Sequence, residues 1–223
     1  MGDRIAVVED EPDVRATAIA MLADAGFEAV GYPTGEHALA GILASPPDLV
    51  LLDVRMPGID GLEVCRRLRH DPRTSSLPIV MLTGLVGEED VVLGLDVGAD
   101  DYITKPLRAR TLVAHVRAVL RRAHPRLSGP PITHGPLTLV PALHQATLHG
   151  RPLSLTPSEF QIVHLLVSSP ERVLSREEIL DRLGTVVGPS GRKVDLHVAA
   201  IRGKLGRHSD LIATVRGIGY RLA

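Results

Sequence analysis

Five short apolar runs, at 4–8, 28–32, 48–52, 77–82 and 100–103, are each followed by a stretch with helical periodicity, at 11–25, 34–44, 59–70, 86–97 and 108–122. A run such as Leu49-Val50-Leu51-Leu52 is apolar without alternation, so a strand made from it must be covered on both faces. Strands of that kind, separated by helices, build a parallel sheet with helices on either side. The pattern predicts a doubly wound, five-stranded α/β fold for residues 1–122. In open sheets of this type ligands gather at the carboxyl ends of the strands.

Those strand ends carry chemistry. The third run closes on Asp53, the first on Glu9-Asp10-Glu11, the fourth on Thr83, and the fifth on Lys105-Pro106. A single acid at a strand end is usually a solvated loop residue; convergence of such groups on one edge argues for a site. A phosphoryl group moving to a carboxylate needs charge neutralisation more than covalent help. Mg²⁺ suits that task, because it takes few carboxylates and keeps several waters. The expected ligands are Asp10 and Asp53 directly and Glu9 through water. Lys105 is expected to pair with phosphoryl oxygens, with the Thr83 hydroxyl bonding another.

The net charge of −1 hides an asymmetry. Residues 1–123 hold 19 acidic and 13 basic side chains, while residues 124–223 hold 7 and 12. An acidic half before a basic half predicts two domains, the second with a polyanionic partner. The segment 123–131, with Pro125, Gly129, Pro130 and Pro131, cannot continue a helix and reads as a linker. From 132 onward short β-like pieces (137–140, 143–148, 152–155) precede capping boxes at Thr156-Pro157-Ser158-Glu159 and Ser175-Arg176-Glu177-Glu178. A third helix is expected over about 191–205, and a hairpin over 212–222 turning at Gly217. Three helices closed by a hairpin predict an α+β winged helix for 132–223.

The aromatic content of 2% gives no platform for stacking single-stranded bases. No apolar run reaches the length of a membrane span, and the opening Met1-Gly2-Asp3-Arg4-Ile5 does not resemble a secretory signal. A lone cysteine, Cys65, in helical register with Leu62 and Leu68, reads as core and fits a reducing cytoplasm.

The segments Val7-Val8-Glu9-Asp10-Glu11, Leu51-Leu52-Asp53-Val54-Arg55-Met56-Pro57-Gly58, Met81-Leu82-Thr83-Gly84 and Gly98-Ala99-Asp100-Asp101-Tyr102-Ile103-Thr104-Lys105-Pro106 resemble the receiver domain of two-component response regulators. Leu155-Thr156-Pro157-Ser158-Glu159-Phe160, Val194-Asp195-Leu196-His197-Val198 and Thr214-Val215-Arg216-Gly217-Ile218-Gly219-Tyr220-Arg221 resemble the winged-helix effector of the OmpR/PhoB family. The resemblance implies a transcriptional regulator rather than an enzyme, phosphorylated on Asp53 by a sensor histidine kinase. It implies Mg²⁺ held by Asp10, Asp53 and the backbone carbonyl of Arg55. Thr83 and Tyr102 would be the switch pair, and Lys105-Pro106 a cis bond. Aspartyl-phosphate hydrolases, the enzyme alternative, resemble Asp-x-Asp, and position 55 is arginine.

The resemblance further implies duplex DNA as a partner, with the helix at 191–205 in the major groove and Arg216 near a minor groove. Val194, Val198, Ile201 and Leu205 form the expected core stripe. Arg192 and Lys193 are expected on the opposite face with Leu196, Ala199, Ala200 and Gly203, and His197, Arg202 and Lys204 on its flanks; all five charged or polar groups are candidate DNA contacts. The family usually has polar readers near 199 and 200, so a receiver whose winged helix contacts protein is the alternative. The loop 183–191, which in the family can touch RNA polymerase, lacks the usual Trp-Gly and acids. A homodimer face is implied over the fourth and fifth helical stretches and the fifth strand. Val92, Leu95 and Ala114 would be its centre, with Asp96–Arg117, Asp100–Arg122 and Asp101–His115 as charge pairs and Val91 as added apolar surface.

Overall fold

The computed structural model describes residues 2–84, 97–123, 129–184 and 192–223. The chain divides into two compact units, Met1–Leu120 and Arg121–Ala223. The expected helix at 86–97 apart from its last residue, part of the linker (124–128) and most of the loop 183–191 lie outside the described residues.

The first unit alternates β1 (Arg4–Val8), α1 (Pro12–Asp24), β2 (Glu28–Tyr32), α2 (Gly35–Ala44), β3 (Leu49–Asp53), α3 (Gly61–His70), β4 (Ile79–Thr83), β5 (Asp101–Thr104) and α4 (Ala109–Ala123), the last three residues of which belong to the second unit. The strands form one parallel sheet in the order β2-β1-β3-β4-β5. Side chains alternate across it. Ile5, Val7, Leu49, Leu51, Val80 and Leu82 pack with Ala18 and Leu22 of α1 and Leu112, Val116 and Val119 of α4. Ala6, Val8, Val50, Leu52, Ile79 and Met81 fill the other face, and Val64, Cys65 and Leu68 of α3 are fully buried. Continuous apolar strands are what a sheet with two covered faces requires, and β3 and β4 are buried at every position.

Two local devices bring α3 behind the end of β3. Asp60 caps the helix by accepting from the Glu63 N–H at 2.8 Å. A Cβ at Gly61 would lie 1.9 Å from the Asp53 carbonyl oxygen, so only glycine permits that approach.

The second unit opens with a four-stranded antiparallel sheet of β6 (Ile132–His134), β7 (Leu137–Val140), β8 (Gln145–Leu148) and β9 (Arg151–Pro152). Helices α5 (Pro157–Val167), α6 (Arg176–Leu183) and α7 (Arg192–Leu205) follow. Both expected capping boxes are present, at Thr156/Glu159 and Ser175/Glu178. The hairpin of β11 (Ile212–Val215) and β12 (Gly219–Leu222) turns at Gly217, with φ 73°. Phe160, Ile162, Val194, Val198, Ile201 and Tyr220 share the core.

Four details of the second unit differ from the sequence reading. β6 was not anticipated, and the piece expected at 152–155 is the two-residue β9. The strand expected at 143–148 starts at Gln145, because Pro141–Leu143 form a 3₁₀ turn ending on His144 at φ 53°. A two-residue strand, β10 (Leu174–Ser175), pairs with β12 and makes the hairpin a three-stranded sheet. Two residues are too few to show a period, yet a Cβ at Gly219 would meet the Leu174 carbonyl at 2.0 Å, which is why glycine opens β12.

Candidate functional site

Three strand ends and the loop after β1 meet at the carboxyl edge of the parallel sheet. Glu9 is fully buried, Asp53 and Thr83 are nearly so, and Asp10 is half-buried. Glu9, Asp10 and Asp53 each offer a carboxylate oxygen, and those oxygens lie within 4.8 Å of one another. Lys105 extends into the cluster, its Nζ 2.7 Å from Glu9 Oε2 and 3.0 Å from Asp53 Oδ2. Its place is set by the backbone: the Lys105 N–H donates to the Thr83 carbonyl at 2.7 Å, and the Lys105-Pro106 bond is cis, as expected. Arg15 of α1 donates from Nη1 to the carbonyls of Glu9 and Asp10, at 2.6 and 3.1 Å, and so holds the acidic loop. The sequence reading did not include Arg15. Its signal was an arginine one turn into the helix that follows the acids.

Burial pushes the Glu9 carboxyl up, Lys105 pulls it down, the Asp53 charge pushes it up again, and the net shift is upward. Burial pulls Lys105 down, but its bonds to Glu9 and Asp53 outweigh that and raise it. The lysine therefore stays an ammonium between two carboxylates. The three acids give an all-oxygen donor set, which fits a hard divalent cation. Arg55 is exposed and lines a shallow groove with Val54, Met56, Pro57, Asp60 and Leu62 beside the cluster. Tyr102 is half-buried on β5, next in register to Met81, and burial followed by the Asp101 charge raises its phenol.

The proposed dimer face changes. Val91, Val92, Leu95 and Asp96 lie outside the described residues. Asp100 is fully buried, accepting from the Ile79 N–H at 3.1 Å and from Arg69 at 3.3 Å. Asp101 is also fully buried, 3.0 Å from His115 Nδ1 in the same chain. Arg122 is buried and donates to Ser158 Oγ at 3.0 Å within the second unit. In the single chain these four groups are buried against partners of their own molecule. Arg117 is exposed and donates to the Ala25 carbonyl, and Ala114 is half-buried.

On α7 the core stripe is as expected, with Val194, Val198 and Ile201 fully buried. Lys193 and His197 are buried too, at 8% and 2% exposure, and do not face outward as the helical wheel suggested. His197 is three residues from Val194 and four from Ile201, so it belongs to the edge of the buried stripe. Lys204 is bound to Glu159, Nζ to Oε2 at 2.5 Å. Arg202 donates to the Ile212 carbonyl at 2.6 Å and to Thr214 Oγ1 at 2.8 Å, tying α7 to the hairpin. Lys193 and His197 are thus packed within the domain, while half-buried Arg202 and exposed Lys204 are bonded to it. Arg192, Ala199 and Gly203 are exposed, Leu196 and Ala200 are half-buried, and Arg216 stands exposed beside Ile218 at the hairpin tip. The sequence reading also missed an anchoring network. Arg176 Nε and Tyr220 Oη both donate to Asp195 Oδ1, at 2.7 and 2.5 Å.

A parallel sheet with an acid cluster and a lysine on its carboxyl edge, followed by a winged helix, defines a response regulator with an output domain. Comparison with known proteins agrees. The family described as response regulator receiver domain matches residues 5–117, and that described as transcriptional regulatory protein, C terminal, matches residues 150–222. The phosphate regulon transcriptional regulatory protein PhoB of Pseudomonas aeruginosa is 40% identical, over 100% of this chain and 98% of that protein. The transcriptional regulatory protein CseB of Streptomyces coelicolor is 41% identical over 96% and 95%. Among solved structures, a RitR mutant superposes with TM-score 0.79 at 25% identity, covering 100% of this chain and 99% of that one. DrrB of Thermotoga maritima, an OmpR/PhoB homolog, gives 0.51 at 28% identity, with both chains fully covered. The chain belongs to the OmpR/PhoB family of response regulators and is a phosphorylation-dependent transcriptional regulator.

Proposed function

We propose that Asp53 is the phosphoacceptor, that a sensor histidine kinase supplies the phosphoryl group, and that the phosphorylated chain binds duplex DNA as a dimer in the cytoplasm. The observation that carries the first part is the Lys105 ammonium within 3.0 Å of a nearly buried Asp53 carboxylate, beside Glu9. A carboxylate oxygen of Asp53 attacks phosphorus, the bond to the donor nitrogen breaks, and that nitrogen leaves with the electron pair. Lys105 pairs with the oxygens of the incoming group, its charge drawn from Glu9 and Asp53. Asp10, Asp53 and the Arg55 carbonyl would hold Mg²⁺, with Glu9 acting through water. Such an ion neutralises phosphoryl charge. Thr83, on the strand beside Asp53, bonds a phosphoryl oxygen, and Tyr102 turns inward behind it.

In the effector, support for DNA reading comes from the exposed part of α7 and the tip of the hairpin. Arg192 and Arg216 are the proposed phosphate and minor-groove contacts, and Leu196, Ala199 and Ala200 offer apolar contact to thymine methyls. Among the described residues no helix is long and apolar enough to cross a membrane. Labelling with acetyl phosphate tests the acceptor. Wild type should carry one phosphate that is released by alkali and by hydroxylamine, Asp53→Asn none, and retained label in that variant would overturn the assignment.

A further inference from the structure

Two imidazoles meet in the second unit, remote in sequence from the acid cluster. His149 sits in the turn between β8 and β9, and His208 in the 3₁₀ segment Gly206–Leu211 that follows α7. Their Nε2 atoms are 2.9 Å apart, with ring centroids 4.7 Å apart and planes tilted by 54°. Arg207 Nε lies 3.2 Å from the same His208 Nε2.

The tautomers follow. An arginine N–H only donates, so His208 Nε2 carries a lone pair. His149 then donates its own Nε2–H, and two donors crowd one acceptor. Two nitrogens each about 2.0–2.1 Å from one ion are about 2.9 Å apart at a right angle and about 3.3 Å apart at the tetrahedral angle. The observed separation is that of two adjacent ligands in a tetragonal or octahedral shell, the geometry of Cu²⁺ and Ni²⁺, and a small opening would admit Zn²⁺.

We propose that His149 and His208 form a two-histidine clamp for an imidazole-preferring divalent transition ion of the Ni²⁺, Cu²⁺ and Zn²⁺ class, with water completing the shell. On binding, His149 loses its Nε2 proton to solvent and takes one up at Nδ1, so the ring stays neutral and Nε2 becomes a ligand. Arg207, exposed, swings away. The ion ties the β8–β9 turn to the segment joining α7 to β11. It thereby braces the base from which the helix and the hairpin both project. The site is chemically separate from the acid cluster, whose oxygen donors suit Mg²⁺.

The test is calorimetric titration of tag-free, full-length protein with NiCl₂, in excess MgCl₂ to fill the acid cluster. One site per chain is expected. Its affinity should fall at least about tenfold, one imidazole ligand lost, in His149→Asn and in His208→Gln. Asparagine is chosen at 149 because it tolerates the φ of 51° found there. Arg207→Ala removes the competing donor and should bind as tightly as wild type or more so. Cu²⁺ in the site should show two imidazole nitrogens by electron paramagnetic resonance. Wild-type isotherms in both folded histidine variants, no Ni²⁺ uptake beside Mg²⁺, or weaker binding in Arg207→Ala would overturn the proposal.

Discussion

The Lys105 ammonium stands 3.0 Å from Asp53 Oδ2, although the two residues are 52 positions apart in the chain. It is also shared with Glu9. The pair thus stores a cation beside the proposed nucleophile, held there by two carboxylates that would otherwise repel each other.

Removing that cation should expose the repulsion. Lys105→Ala leaves buried Glu9 beside Asp53 with no ammonium, at a cost of about 1–3 kcal/mol of receiver stability. Glu9 already titrates above its ordinary value, and loss of Lys105 raises it further. A carboxyl that holds its proton more tightly when folded makes stability fall as pH rises through the window between the ordinary and the raised value. The variant's deficit should therefore be larger at neutral pH than near pH 5, and added Mg²⁺ should recover more stability in the variant than in wild type. Chemical denaturation at two pH values, with and without MgCl₂, checks this. An equal deficit in all four conditions would refute it.

Cys65 is fully buried on α3, and burial pushes its thiol up to about 11. Only the thiolate reacts, so at pH 8 the folded protein should resist a disulfide reagent for hours and react within minutes in denaturant. Rapid labelling of the native chain would place Cys65 in an open environment.

The receiver was legible because its strands are continuous apolar runs whose ends bring charged groups together on one edge of the sheet. Period and punctuation placed both ends of β3 to within one position and those of β4 to within two. The effector was legible at its helix starts, where Thr156 and Ser175 announce themselves through capping chemistry. Its surface was less so. A helical wheel assigns a width to the buried stripe but cannot see that His197 lies inside its edge, or that Lys204 finds Glu159 across 45 positions of chain. The burial of Asp100 against Arg69 and of Asp101 against His115 was hidden for the same reason, since it depends on tertiary neighbours.

The exposed arginines and the packed basic residues should behave differently on DNA. Arg192→Ala and Arg216→Ala should each lower the salt slope of binding by about one and leave folding intact. Lys204→Ala should instead lower the melting temperature, because it takes the paired cation from the buried Glu159 carboxylate. Replacing thymine by uracil in the half-sites should weaken wild type, since Ala199 and Ala200 offer only apolar contact. A salt slope changed by Lys204→Ala without loss of stability would return that lysine to the interface.

Tyr220 donates to Asp195 at 2.5 Å, and burial followed by that bond pushes its phenol up to about 12. The neutral phenol is favoured by folding, so its contribution is intact below the ordinary value near 10 and is lost as pH rises through about 12. In absorbance titration the last tyrosine step should belong to Tyr220 and should vanish in Tyr220→Phe. A last step unchanged in Tyr220→Phe would mean the Tyr220–Asp195 bond does not persist in solution.

The dimer should be held by apolar contact more than by charge. Asp100 and Asp101 are fully buried against Arg69 and His115, which leaves fewer acids for partners across an interface. An exposed ion pair contributes about 0–1 kcal/mol and is screened by salt, whereas burying one more aliphatic side chain contributes roughly 1.5–3 kcal/mol and is not screened. If Val91 adds to the proposed centre of Val92, Leu95 and Ala114, the apolar contribution should exceed the ionic one. Dimerisation of the phosphorylated protein should then hardly weaken between low and high salt, while Val91→Asp should abolish it. Sedimentation of the full chain with beryllofluoride across a salt series measures both. A steep loss of dimer with salt, or a dimer indifferent to Val91→Asp, would show that the subunits pair through a different, charged surface.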